Sequence, residues 1–134
     1  IDASVASSWC FDDEASLTRE QVGVLFETFA CHVPAIFRVE VANAVNVGVR
    51  RGRLSEARAM ETLDQVQYLV WHVDPSGADA VVASFAIARR HGLTMYDATY
   101  VELARRLGVP LASNDRDVRR SAAAEGVTIV DLGG

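Results

Sequence analysis

An α/β architecture in three layers, with a central, mainly parallel sheet of four to five strands between helices, is what this sequence predicts. Three observations carry the prediction. The runs Leu69–Val73, Val109–Ser113 and Val127–Val130 are short and largely apolar, as strands buried on both faces are. Helix-length segments separate them, closed by Gly52, Gly92, Gly108 and Gly126. The 134 residues, half of them apolar and 23% charged, suit a single domain over residues 1–134 with a core large enough to fold without staples.

In order, Ile1 reads as the tail of a strand that ends at Asp2, and a short helix follows over Val5–Trp9. Asp12-Asp13-Glu14 reads as a solvated loop. Thr18-Arg19-Glu20-Gln21 has the spacing of a capping box and opens a helix to about Ala30. Pro34 suits the first turn of a helix over about Ala35–Arg51, and Ser55 caps another to about Tyr68. After the strand Leu69–Val73 come a helix from Gly77 to Arg90 and a second from Tyr96 to Leu107. The strand Val109–Ser113, a helix over Asp115–Glu125 and the strand Val127–Val130 complete the chain. Ligands are expected at the carboxyl ends of such strands.

Composition excludes several classes. All thirteen basic residues are arginine, so chemistry that depends on a lysine, such as Walker-type phosphate loops and Schiff-base catalysis, is out. Every cation is instead a planar fork suited to phosphate or carboxylate. No run of about 18 apolar residues is present to cross a membrane. Ile1-Asp2-Ala3-Ser4 has no signal-peptide character, and the lack of an initiator Met leads us to expect that the natural chain begins a few residues earlier. Cys10 and Cys31 form no CxxC and fit buried thiols in a reducing cytoplasm. His32, His72 and His91 lack metal-ligand spacing, and GxSxG is absent.

Four acids remain as candidates for chemistry. Glu40 shares a helical face with Ile36, Ala44 and Val47, where an unpaired carboxylate is expensive; the competing reading is a buried pair with an arginine. Asp97 shares a face with Val101 and Ala104, although Thr94-Met95-Tyr96-Asp97 also has capping-box spacing. Asp2 and Asp115 each follow a strand and precede a helix, so each can serve as an N-cap. Both would nevertheless lie at the same edge of a parallel sheet. Four carboxylates meeting there would repel one another unless a cation were present, and all-oxygen ligands select Mg²⁺ or Mn²⁺.

Asp2-Ala3-Ser4, Arg38-Val39-Glu40-Val41-Ala42-Asn43, Tyr96-Asp97-Ala98-Thr99-Tyr100 and Leu111-Ala112-Ser113-Asn114-Asp115-Arg116-Asp117 together resemble a PIN domain, with successive acids 38, 57 and 18 positions apart. The compact length resembles the VapC toxins of toxin–antitoxin pairs. The resemblance implies an endoribonuclease in which Asp2, Glu40, Asp97 and Asp115 bind Mg²⁺ or Mn²⁺ for phosphodiester hydrolysis. It makes Ser113 and Asp117 auxiliary residues, tRNA or rRNA the candidate substrates, a VapB-like antitoxin the partner, and a homodimer the expected assembly. For a chain of net charge −5, RNA contact requires a local basic rim. Arg116, Arg119 and Arg120 are the first candidates for it, and Arg50, Arg51 and Arg53 the second. The alternatives are a PIN-like module that binds without catalysis, its acids serving only as caps and arginine partners, and another Mg²⁺-dependent phosphohydrolase. The second lacks the further Asp that haloacid-dehalogenase chemistry wants two residues after Asp2.

Overall fold

The computed structural model describes residues 1–11, 19–69 and 72–131. The expected Asp12–Glu14 loop, the Thr18 cap, Val70 and Trp71 lie outside the described residues. Seven helices carry most of the described chain: α1 Ala3–Cys10, α2 Arg19–Thr28, α3 Phe37–Arg50, α4 Glu56–Leu69, α5 Ala78–His91, α6 Met95–Leu107 and α7 Arg116–Ala124. Local chemistry sets their ends. Asp2 caps α1, Thr94 caps α6 and Asp115 caps α7, each through a side-chain oxygen that accepts a backbone N–H. Gly92 and Gly108 end α5 and α6 in the left-handed conformation, with φ of 67° and 65°.

The sheet is smaller than the sequence predicts. Among the described residues it has two strands, β1 His32–Pro34 and β2 His72–Asp74, paired parallel with His32 opposite His72. The two imidazoles stack with ring centroids 4.6 Å apart. Strand β1 replaces the start of a helix expected at Pro34, because the proline closes an extended segment and α3 begins only at Phe37. Leu69 belongs to α4, and of the strand expected over Leu69–Val73 the described residues show His72–Asp74. The runs expected at Val109–Ser113 and Val127–Val130 meet at one parallel bridge, Leu111 to Ile129. Backbone bonds extend the layer sideways without adding strands: the Ile1 ammonium donates to the His32 carbonyl (3.3 Å), and Asp2 N–H to the Ala112 carbonyl (3.0 Å). The reason is length. Asp2 leaves the layer at once to cap α1, and Pro110, lacking an N–H, limits the ladder beside Leu111.

The core sits between this layer and the helices. Helix α3 buries Phe37, Val41, Val45 and Gly48, one face at helical spacing, against α1 and α4. Each such apolar side chain contributes about 1.5–3 kcal/mol on burial. Gly48 is required by contact: a Cβ there would lie 2.5 Å from the Phe11 ring, over which the Arg53 guanidinium stacks at 4.3 Å. Trp9 joins the core, whereas Tyr68 is 71% exposed. Cys10 and Cys31 are buried and are not joined in a disulfide. Among the described residues, no helix is long and apolar enough to cross a membrane.

Ion pairs gather at the far end of α6. Glu125 accepts from Arg90 (2.8 Å) and Arg105 (2.9 Å), and its Oε1 lies 2.8 Å from Nε2 of His91. Arg106 donates to Glu102 (2.7 Å) and Asp74 (2.9 Å). His91 is thus a partnered histidine.

Candidate active site

Three short-range accidents of sequence bring acids to one place. Asp2 ends an extended segment and must turn into α1, so its carboxylate folds back to accept from Val5 N–H (3.3 Å). Asp115 does the same at α7, accepting on Oδ1 from the N–H groups of Asp117 (2.8 Å) and Val118 (2.9 Å). Asp97 occupies the first turn of α6, where its N–H donates to the Thr94 hydroxyl (3.1 Å). Glu40 comes from the first turn of α3, which lies over these helix starts. All four line one cleft of about 220 Å³, together with Ser4, Ser7, Asn43, Ala44 and Tyr100.

Asp2 is 4% exposed and is the most tightly held of the four. Its Oδ1 accepts from the Ser4 hydroxyl at 2.5 Å, and its Oδ2 accepts from the Ser113 hydroxyl. Both serines are relays. Ser113 Oγ also accepts Asp115 N–H (3.0 Å), and Ser4 Oγ accepts Asn114 N–H (2.9 Å). One hydrogen-bonded frame therefore joins the loop Ser113–Asp115 to the start of α1. Glu40 has a different anchor: the Tyr100 hydroxyl donates to its Oε1 at 2.7 Å. No arginine partner of Glu40 is found among the described residues. No salt bridge among the described residues involves Asp2, Glu40, Asp97 or Asp115.

The PIN domain family matches residues 1–124 of this sequence. The chain belongs to the PIN domain family. Its relatives include a protein named ribonuclease VapC3 from Pyrobaculum aerophilum, 31% identical over 119 residues that span 88% of this chain and 89% of the relative. Another, named ribonuclease VapC1, from Mycobacterium tuberculosis, is 34% identical over 105 residues, or 78% of this chain and 74% of the relative. This is a VapC-type PIN domain.

Electrostatics sets the cleft of this PIN domain apart from its surroundings. Burial pushes the Asp2 carboxyl above its ordinary value, against the lowering effect of its hydroxyl and N–H donors. Burial also raises Glu40, opposed by Tyr100 and helped by the charges of Asp97 and Asp2. Asp97 is raised by burial first, then by Asp115 and Asp117, with Thr94 opposing. The phenol of Tyr100 is raised strongly, by burial and by Glu40, so it stays a donor. Among the described residues, no three of His, Cys, Asp or Glu converge closely enough to hold a metal ion as they stand. The donor set nevertheless suits a hard cation: it is all oxygen, and the donors named above leave Asp115 Oδ2 and Glu40 Oε2 uncommitted.

The remaining candidates divide. Ser113 is fully buried and acts through Asp2 and not at the cleft surface. Asp117 is exposed, pairs with Arg120 at 3.1 Å and does not line the cleft. Arg119 is turned inward, its guanidinium donating to the Ser113 carbonyl at 3.0 Å, so it braces the loop instead of standing free for RNA. Arg116 and Arg120 remain exposed at the start of α7. Sequence reasoning singled out neither Ser4 nor Tyr100 nor Asn114 as site residues. The signal for Ser4 is its position two residues after a cap, a spacing that favours hydroxyl–carboxylate contact. For Tyr100 the only local signal is its place one helical turn after Asp97.

Proposed function

We propose that this protein is a Mg²⁺- or Mn²⁺-dependent endoribonuclease, hydrolysing RNA phosphodiester bonds as the toxin of a VapBC-type toxin–antitoxin pair, with Asp2, Glu40, Asp97 and Asp115 as its catalytic acids. One observation carries the reading: four acids from distant stretches of chain line a single cleft, and no arginine among the described residues pairs with any of them. Carboxylates placed so are strained when ionised, and a hard dication relieves them. Relatives named as ribonucleases support the same chemistry.

Asp2, Asp97 and Asp115 would hold the cation, and Glu40 would join them or orient a water. When bound, the ion lowers the pKa of a water and neutralises charge on the leaving oxygen. The chain's own residues do the positioning. Ser4 and Ser113 keep Asp2 in one rotamer, and the first N–H groups of α7 hold Asp115. Arg116 and Arg120 provide a basic rim beside Asp115 for backbone phosphates of tRNA or rRNA. The partner in this reading is a VapB-like antitoxin, and the place of action the cytoplasm. The homodimer is assigned to α5, where Val82 (70% exposed) and Phe85 (58%) form an apolar stripe with Asp79 toward one end and Arg89 toward the other. Two antiparallel copies of that stripe would match apolar centre to apolar centre and acid to base.

The test is cleavage of RNA by the purified protein in Mg²⁺ or Mn²⁺ against EDTA, alongside Asp97→Asn. Loss of a charge-stabilising group of this kind lowers turnover by about 10²–10³-fold. A folded Asp97→Asn protein that cleaves like wild type ends the proposal. The competing reading, a binding module without catalysis, draws on the real capping roles of Asp2 and Asp115. It requires a melting temperature indifferent to Mg²⁺, whereas a cation site raises it by mass action.

A further inference from the structure

The acids of the cleft differ in how many donors hold them. Asp2 has three, from Ser4, Val5 and Ser113, and Asp115 has two from the α7 backbone. Glu40, on the longest and most mobile stem, accepts from one donor among the described residues, Tyr100. It stands half-buried among like charges, so without that donor its cheapest course is to rotate away from the other acids toward solvent. Tyr100 cannot easily follow it. Its side chain is 3% exposed and forms the wall between the acidic cleft and an apolar cavity of about 300 Å³ lined by Leu103, Val109 and Leu111. A rigid ring is thus seated in apolar surroundings with only its hydroxyl reaching the cleft, across from α6 to α3.

We infer that Tyr100 is a positioning residue of this site: its hydroxyl pins Oε1 of Glu40, leaving Oε2 as the single oxygen that Glu40 offers to a cation or to the attacking water. The inference rests on the nuclease reading above and deepens it, since a Glu pinned through one oxygen acts through the other and not as a two-oxygen chelate. Partners that orient a ligand in this way are worth about 10- to 100-fold in metal affinity or activity.

The experiment compares wild type, Tyr100→Phe, Glu40→Gln and the double variant for RNA cleavage in Mn²⁺ and, separately, for Mn²⁺ binding by the electron paramagnetic resonance signal of the free ion. Tyr100→Phe keeps the ring in its apolar seat, so its thermal unfolding should stay cooperative. Its kcat should fall by about 10- to 100-fold with KM unchanged, and its Mn²⁺ affinity should weaken. The double variant should be no worse than Glu40→Gln, because Tyr100 acts only through Glu40. Losses that multiply in the double variant overturn the inference, as does a Tyr100→Phe protein with wild-type turnover. Should Tyr100→Phe fail to fold, Glu40→Asp keeps the charge but falls short of the hydroxyl, and it must show the same kcat loss; wild-type turnover there overturns the inference too. A wild-type protein that cleaves no RNA in either cation removes the nuclease reading and this inference with it, while an active wild type matched by Tyr100→Phe removes the inference alone.

Discussion

Asp97 lies at the start of α6, and Glu125 meets the arginines and histidine near that helix's other end; the fold treats the two carboxylates in opposite ways. Glu125 is partly buried, which by itself raises its carboxyl, yet His91, Arg90 and Arg105 outweigh burial and hold it below the ordinary range. Asp74 is held low in the same manner by Arg106. Asp97 and Glu40 have no such cation among the described residues, and burial together with like charge holds both high; Asp2 is held high by burial, against its hydroxyl and N–H donors and the amino group of Ile1. This chain has thirteen arginines and places none in an ion pair at the cleft among the described residues. A folding unit shaped only for stability would spread its cations more evenly. The asymmetry teaches that Glu125 and Asp74 tie α5, α6 and β2 together, whereas the cleft acids have no ion-pair partner among the described residues, as the proposed cation site requires.

That contrast makes predictions of opposite sign. The largest concerns activity: Asp97→Asn should cost about 10²–10³-fold in RNA cleavage, while Glu125→Gln, measured in the same assay at a temperature where it is folded, should leave cleavage near wild type. Next is stability. Glu125→Gln should lower the unfolding free energy by about 1–2 kcal/mol in urea titration, a modest figure because Arg90 and Arg105 are half in solvent. Asp97→Asn, in EDTA at neutral pH, should instead raise the melting temperature, by an amount worth up to about 1 kcal/mol. A destabilised Asp97→Asn would place Asp97 among the structural acids and break the comparison.

The smallest effect is the pH dependence, and its sign follows from linkage. Asp2, Glu40 and Asp97 titrate higher in the folded chain than in the unfolded one, so the folded chain binds more protons between those values. Without metal their contribution to stability falls as pH rises through that window. Glu125 and Asp74 titrate lower when folded, so their contribution is present above the ordinary carboxylate range and is lost as pH falls through their folded values. Melting curves in EDTA from about pH 4 to about pH 7 should therefore show a decline toward neutral pH that shrinks in Asp97→Asn and grows in Glu125→Gln. Millimolar Mg²⁺ should cancel most of that decline at the upper end.

How much of this was legible in the sequence varies with the range of the interaction. The helix starts at Thr94 and Asp115 and the stops at Gly92 and Gly108 could be read directly, because a cap and a left-handed glycine involve residues only a few positions apart. Glu40 stood out because a carboxylate interrupts an apolar helical face, and Asp2, Asp97 and Asp115 because each stands at a helix start; that the four line one cleft is a tertiary fact. Strands were read less well. The β1 strand was missed altogether and two expected strands reduce to the Leu111–Ile129 bridge, since a ladder exists only where a distant segment answers it.

The sequence by itself, through capping spacings, helical periodicity and an all-arginine cation set, determined where helices begin and which carboxylates stand at their heads. Only the tertiary structure decided that Tyr100 reaches Glu40 across sixty positions, that Ser113 stands behind Asp2 and that Arg119 turns inward to a carbonyl. The physical reason is that a side chain's partner, and with it the oxygen left for chemistry, depends on which surfaces pack together; local preference ends within a few residues, and packing does not.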